Sequence, residues 1–289
     1  MSLPTAPPRW LHRLALLTAA STLLLILAGG LVTSTASGMA FPDWPTSDGH
    51  NMLAYPWFQA THKAFVEHGH RLSGMTVGIL TLATAFGIWF KDDRRWVKVL
   101  GLAASAGVLL QGVLGGMRVL HDSRGLAFLH ACLAQAFFAL VGILATVLSP
   151  AWADAAPAPG RAVSRLCTIM ALAVYLQAVL GASVRQLGQP ARMHMIAAAV
   201  VSVLVFVTVS RILDEHWSVP ALTRPALLLA GLFLFQASLG LATWVSLRNS
   251  PGPRSLMDPV LHSTLHVGTG ALLLGVSAAL AMRARRWTC

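Results

Sequence analysis

Apolar residues in this chain gather into eight long runs, separated by shorter stretches that hold most of the charge. The runs fall near 14–32, 70–90, 97–119, 127–148, 163–184, 193–212, 221–245 and 260–282. Crossing a hydrocarbon core takes roughly 20 residues of α-helix, so the pattern predicts an all-α membrane protein with eight transmembrane helices. The first run exceeds the usual apolar stretch of a cleaved leader, and no A-x-A site closes it. It is therefore expected to be a retained helix.

Composition agrees with the pattern. Of 289 residues, 56% are hydrophobic and 11% are charged, whereas soluble domains carry about 25% charged residues. The net charge of +11 could suggest nucleic acid, yet no stretch is both basic and polar enough to present such a face. The charge is assigned to the membrane surface, with lipid as the partner and nucleic acid excluded.

Basic residues also set an expected orientation. Thirteen lie at the N-terminus, in the even-numbered loops and at the C-terminus, among them Arg9, Arg13, Lys91, Arg94, Arg161 and Arg286; eight lie on the other side, from Lys63 to Arg254. Positively charged segments stay inside, so both termini are expected in the cytoplasm and the protein in the cell membrane, with the long loop near 33–69 outside. Cys132 and Cys167 fall in helices and Cys289 at the chain end, so no outer-loop disulfide is expected.

The runs repeat internally. Three odd-numbered runs share Gln-x-x-Leu-Gly, at Gln111–Gly115, Gln177–Gly181 with Ala178 and Val179 between, and Gln236–Gly240. The first run, with Ala28-Gly29-Gly30-Leu31, is a looser version. Even-numbered runs instead carry a histidine with a small residue four positions on: His70/Gly74, His130/Ala134, His194/Ala198 and His266/Gly270. Positions i and i+4 share a helix face. The repeat predicts two similar four-helix bundles, 1–150 and 151–289, joined by an Ala/Pro linker near 149–160 and related as parallel repeats.

Small residues let transmembrane helices pack closely whatever they bind. Coupled to histidine at a fixed spacing, they also suit a flat macrocycle lying on the helix. An ionisable side chain at membrane depth is costly and is usually paired, liganded or lining a functional cavity. Zinc would want four N, S or O ligands, and neither half offers Cys, Asp or Glu at matching positions. Two neutral imidazoles suit an iron porphyrin, whose macrocycle supplies the equatorial ligands. His70 and His130 are therefore candidate ligands in one half, and His194 and His266 in the other. His262, one turn before His266, is an alternative. Arg71, Arg118 and Arg185, at outer helix ends, could bind propionates or snorkel to lipid headgroups. His12 and His216 are expected to be solvated at the inner ends.

The halves differ in one respect. Glu67 stands three residues before His70, whereas Gln189-Pro190-Ala191-Arg192-Met193 precedes His194 without an acid. If the second helix begins early enough, Glu67 and His70 share a face, placing an acid–base group beside one haem only. That asymmetry suggests a reacting site in the first half and electron transfer in the second.

These features resemble the haem A synthase family. The resemblance rests on Gly29-Gly30-Leu31-Val32-Thr33 leading to Ser37-Gly38 and Pro42-Asp43-Trp44-Pro45, on Glu67-x-x-His70-Arg71, and on the repeated helix histidines. It implies that haem O is the substrate near His70 and His130, its C8 methyl being oxidised twice, with water as the oxygen source or by monooxygenation. A gem-diol then loses water to leave the formyl group. It further implies that Glu67 is the acid–base or radical-handling carboxylate, and that haem b sits between His194 and His266. The electron partner stays open, a quinone being one candidate, and haem O synthase is a candidate docking partner. Two departures stand out. The first outer loop lacks the cysteine pair of many bacterial members, and Met195 follows the third histidine where Arg is usual, leaving Arg192 as a substitute. The competing reading is a di-haem cytochrome b that only transfers electrons.

Overall fold

The structure is a computed structural model that describes residues 7–152, 160–248 and 257–286. Most of the expected linker (153–159), Arg254 and Cys289 lie outside the described residues. Eight long helices stand among those described: α1 (Arg9–Ser34), α2 (His62–Lys91), α3 (Arg95–Leu120), α4 (Arg124–Val147), α5 (Arg161–Leu187), α6 (Arg192–His216), α7 (Pro220–Arg248) and α8 (Met257–Arg286). All eight are long and apolar enough to span a membrane. The protein is an all-α, multi-pass membrane protein.

Seven helices begin within a few residues of the predicted runs; α2 begins eight residues early. Its first two turns, His62 to Gly69, are polar enough to read as loop. They are helical because Thr61 caps them, its hydroxyl accepting from the Ala64 N–H, which satisfies one of the orphan donors of a helix start. At the other end of a helix, α5 stops at Gly188, whose φ of +69° is a left-handed conformation natural to glycine after a helix.

Neighbouring helices close two rings. Helix α1 packs on α2, α2 on α3, α3 on α4, and α4 back on α1; α5, α6, α7 and α8 close likewise. Helix α8 also packs on α1 and α4, and α5 on α4. This arrangement is compatible with two four-helix bundles side by side. At the seam, a Cβ on Gly142 would come within 3.9 Å of the Gly275 backbone, the close approach that small residues permit between membrane helices. Large apolar side chains such as Leu24, Ile79, Leu109, Val203 and Leu234 cover the outside, where lipid tails rather than water suit them.

Hydroxyls inside the helices bond to carbonyls one turn back. Thr18 donates to the Leu14 carbonyl at 2.9 Å and lies 2.9 Å from the Thr84 hydroxyl. His12, expected to be solvated, has Nδ1 3.1 Å from the Ala145 carbonyl oxygen. His216 is only 15% exposed at its side chain. Both histidines therefore tuck against the protein rather than standing in solvent.

Candidate functional site

The four helix histidines occupy one recurring setting. Each lies against a glycine of the preceding helix, so close that an added Cβ would approach the imidazole Cε1. The distances are 3.0 Å for Gly29 against His70, 3.3 Å for Gly115 against His130, 3.0 Å for Gly181 against His194, and 3.0 Å for Gly240 against His266. Any side chain at those glycines would push the ring away. The Gln-x-x-Leu-Gly repeat thus has a physical meaning: its glycine makes room for a histidine one helix further on.

The glutamine of the repeat serves the same histidine. Gln111 Nε2 donates to the His130 carbonyl at 3.1 Å, and Gln177 Nε2 to the His194 carbonyl at 2.9 Å. Gln236 Nε2 lies 3.5 Å from His266 Nε2. The small residues four positions after the histidines are less uniform. A Cβ at Gly74 would meet nothing within 4 Å, whereas one at Gly270 would meet the Gln236 amide at 3.1 Å. At Gly270, then, the small residue accommodates a neighbouring glutamine.

His194 and His266 face each other, their ring centroids 6.3 Å apart and their planes at 85°. Two metal–imidazole bonds of about 2.0 Å plus two ring half-widths of about 1.1 Å place bis-imidazole centroids roughly 6 Å apart. The pair fits a group bound between two imidazoles. His262 is elsewhere, with Nδ1 3.3 Å from the Ser246 hydroxyl. In His70, His130 and His266 the Nδ1 edge of the ring faces the preceding helix and bonds to the backbone of Leu25, Gln111 and Gln236, as His194 Nδ1 lies 3.2 Å from the Gln177 carbonyl oxygen. A cleft of about 270 Å³ opens beside His194, lined by Leu180, Ser183, Gln189, Pro190, Arg192 and Met193. Arg192 is therefore within the surroundings of His194.

Glu67 is buried, at 4% exposed, and lies with His70 in the N-terminal part of α2. Its Oε2 accepts from the N–H groups of Ala40 at 2.7 Å and Phe41 at 3.3 Å, and its Oε1 from Arg71 Nη2 at 2.8 Å. Arg71 Nη1 reaches on to the carbonyls of Asp43 and Thr46. Arg118 donates to the Gly38 carbonyl at 3.0 Å. Glu67, Arg71 and Arg118 together hold the loop between α1 and α2 against the helices. Asp43 closes that loop by accepting from the N–H groups of Asp48 and Gly49. Partial burial would raise its pKa, but the Thr46 hydroxyl and these amides outweigh it and hold the carboxyl down at about 2. Trp44 packs directly on the Gly116 backbone of α3, one residue from the glycine that faces His130.

Arg185 lies at the junction of α1, α5 and α8. It donates to Ser263 Oγ at 2.8 Å, the Gly30 carbonyl at 2.7 Å and Ser34 Oγ at 2.6 Å. Among the described residues, no carboxylate lies within salt-bridge distance of Arg118 or Arg185. Both are cations held by neutral oxygens, and neither is simply snorkelling into headgroups.

The profile of the COX15-CtaA family, described as cytochrome oxidase assembly protein, matches residues 12–192, well over half of the chain. The chain belongs to this family. The matched stretch contains Glu67, His70, Arg71, Arg118, His130 and Arg185, while His194 and His266 lie beyond it. Similar proteins are named heme A synthase. The one from Bacillus licheniformis is 32% identical over 137 residues, covering 46% of this chain and 44% of its own length. That from Alkalihalophilus pseudofirmus is 29% identical over 138 residues, or 47% and 45%, and that from Brucella anthropi 29% over 133 residues, or 42% and 35%. The matches thus span less than half the length of these relatives.

Several residues of this family member escaped the sequence reading. Gln111, Gln177 and Gln236 were visible as a repeat, but their histidine contacts required the helix pairing. His68, at 1% exposed, falls within the loop expected near 33–69. It lies on α2, its Nδ1 3.2 Å from Ser47 Oγ and its ring 4.8 Å from that of Tyr55. The Thr61 cap is the signal that would have placed it on the helix.

Proposed function

We propose that this chain is a haem A synthase of the cell membrane, oxidising the C8 methyl group of haem O to a formyl group. The observation that carries the reading is the four-fold setting of His70, His130, His194 and His266, each lodged against a helix glycine, in a member of a cytochrome oxidase assembly family. The relatives' printed name, heme A synthase, supports the same activity.

In this reading residues 1–150 hold the substrate and residues 151–289 a resident haem. His70 and His130 bind haem O through their imidazoles; His194 and His266 hold haem b. Haem b supplies one-electron transfer when bound. Methyl to formyl is a four-electron oxidation of the carbon: with water as the oxygen source four electrons leave the substrate site, a quinone being a suitable class of acceptor, whereas monooxygenation takes its oxidant from dioxygen and draws electrons in. Arg71, Arg118 and Arg185 are the cations offered to carboxylates of a bound macrocycle, and among the described residues no carboxylate lies within salt-bridge distance of Arg118 or Arg185. Glu67 is the acid–base group for the reacting carbon. Its carboxylate oxygens, held by Arg71 and the Ala40 and Phe41 amides, are oriented before substrate arrives, and their hydrogen bonds leave the loop covering that end of the bundle. The basic residues crowded at inner ends support both termini lying in the cytoplasm. Docking to haem O synthase would spare an apolar substrate a passage through water.

The engagement of Glu67 by a salt bridge and two amides also favours a second reading, a di-haem cytochrome b in which Glu67 only anchors the loop. One experiment separates them. The full chain and Glu67→Gln are purified from cells supplying haem O, and their extracted haems are chromatographed. Haem A or its hydroxylated precursor from wild type, with haem O or the precursor accumulating in Glu67→Gln, supports the synthase. Haem b alone from both leaves the electron carrier.

A further inference from the structure

The Gln-x-x-Leu-Gly repeat is broken at one histidine. His130, His194 and His266 each have a glutamine four residues before their glycine, with its amide nitrogen on the histidine carbonyl or ring. For His70 the glycine is Gly29, and four residues before it stands Leu25. Leu25 packs into the apolar cluster of the first ring and has no polar atom in its side chain to offer. His70 therefore lacks a glutamine amide, although its ring bonds to the Leu25 backbone as the other three rings bond to the backbones of Gln111, Gln177 and Gln236.

What holds His70 differs in kind. The outer end of α2 is tied to the loop, through Glu67 to Ala40 and Phe41 and through Arg71 to Asp43 and Thr46. The loop is in turn pinned to α3 by Arg118 on Gly38. A helix–helix amide bond sits inside the bundle, whereas loop contacts open more readily, because connecting segments draw on fewer buried contacts. Ligation by His70 is thus conditional on the loop, whereas His130 keeps its bond to Gln111 when the loop opens.

Resting on the synthase reading, we infer that His70 is the releasable ligand of the substrate site and His130 its fixed anchor, with Leu25 in place of glutamine as the determinant. A resident haem needs steady ligands, and His194 and His266 each have a glutamine of the preceding helix beside them. A substrate that enters and a product that leaves need one ligand that lets go. Opening the loop loosens the start of α2, withdraws His70 and frees that face of the macrocycle, while His130 stays in place on Gln111.

The test uses the full chain purified from cells supplying haem O. Haems per chain, their identity and their spectra are recorded for wild type, His70→Ala and His130→Ala. The expected result is that His70→Ala keeps both haems, the substrate one losing its six-coordinate low-spin spectrum, whereas His130→Ala keeps only the haem of the second half. Transfer of haem O to added apomyoglobin then gives the release rate. Leu25→Gln should slow it roughly five-fold and Gln111→Leu speed it by a similar factor, the size expected of one net hydrogen bond. Retention by His130→Ala with loss by His70→Ala overturns the proposal, as does an unchanged release rate in a Leu25→Gln protein of normal haem b content. If Leu25→Gln does not fold, the two histidine variants decide. A wild type carrying two haem b and no haem O overturns the synthase reading instead; one against two haems per chain in His130→Ala and His70→Ala still reads the asymmetry.

Discussion

Glu67 and Arg71, one helical turn apart on α2, form a salt bridge at 2.8 Å with both side chains less than a tenth exposed. Removing one partner of a buried pair leaves the other uncompensated, which costs about 3–5 kcal/mol. The pair also carries the outer loop, since both side chains bond to its backbone. Arg71→Met should therefore loosen the loop as well as α2. Limited proteolysis of membranes from the outer side should cut the variant within 35–50 at least ten times faster than wild type, and Arg71→Lys should fall between. Equal cutting would show that the loop is held by other contacts.

Asp43 gives the loop a pH limit. Its folded pKa of about 2 lies below its ordinary 3.8, so its contribution is fully present above the ordinary value and is lost as pH falls through about 2. Pepsin should cut the loop of wild type faster as pH drops from 4 to 2. Asp43→Asn should be cut at pH 4 nearly as fast as at pH 2, because the amide replaces a carboxylate whose two oxygens take the Asp48 and Gly49 N–H groups.

The glycines facing the histidines should tolerate no side chain. Gly240→Ala places a Cβ 3.0 Å from His266 Cε1, and overpacking of this kind costs about 1–3 kcal/mol. The ring is expected to turn away rather than α7 to shift. Haem per chain, measured from the pyridine haemochrome spectrum, should fall by roughly half or more. The control is Gly231→Ala, where a Cβ meets nothing within 4 Å and haem content should hold.

Arg185 joins three helices through Ser263, Gly30 and Ser34. Hydrogen bonds to a charged group contribute about 1.5–3 kcal/mol, so Arg185→Met should lower the detergent unfolding temperature by several degrees. Lysine, with one nitrogen in place of a planar fork, should recover less than half of the loss. An unchanged melting curve would mean that α1, α5 and α8 need no such tie.

Much of this protein follows from its sequence alone. Eight apolar runs determine eight helices, because an unpaired backbone cannot cross a hydrocarbon core. The spacing of histidine and glycine along those runs already marks both as repeating units. What only the tertiary structure decided is which repeat serves which. Gly29, Gly115, Gly181 and Gly240 are each matched to a histidine on the following helix, an inter-helix distance that no periodicity within one helix contains. The 6.3 Å approach of the His266 and His194 rings, with His262 against Ser246 instead, is likewise an inter-helix relationship. The outer turns of α2 were misread as loop because polarity alone describes a surface; the Thr61 cap and the contacts of Glu67 with a distant loop turn that polar stretch into buried helix. The missing glutamine at Leu25 was legible as a gap in a motif, yet it acquired a consequence only when Gly29 was found against His70, since the effect of an absent hydrogen bond depends on which group is left without it.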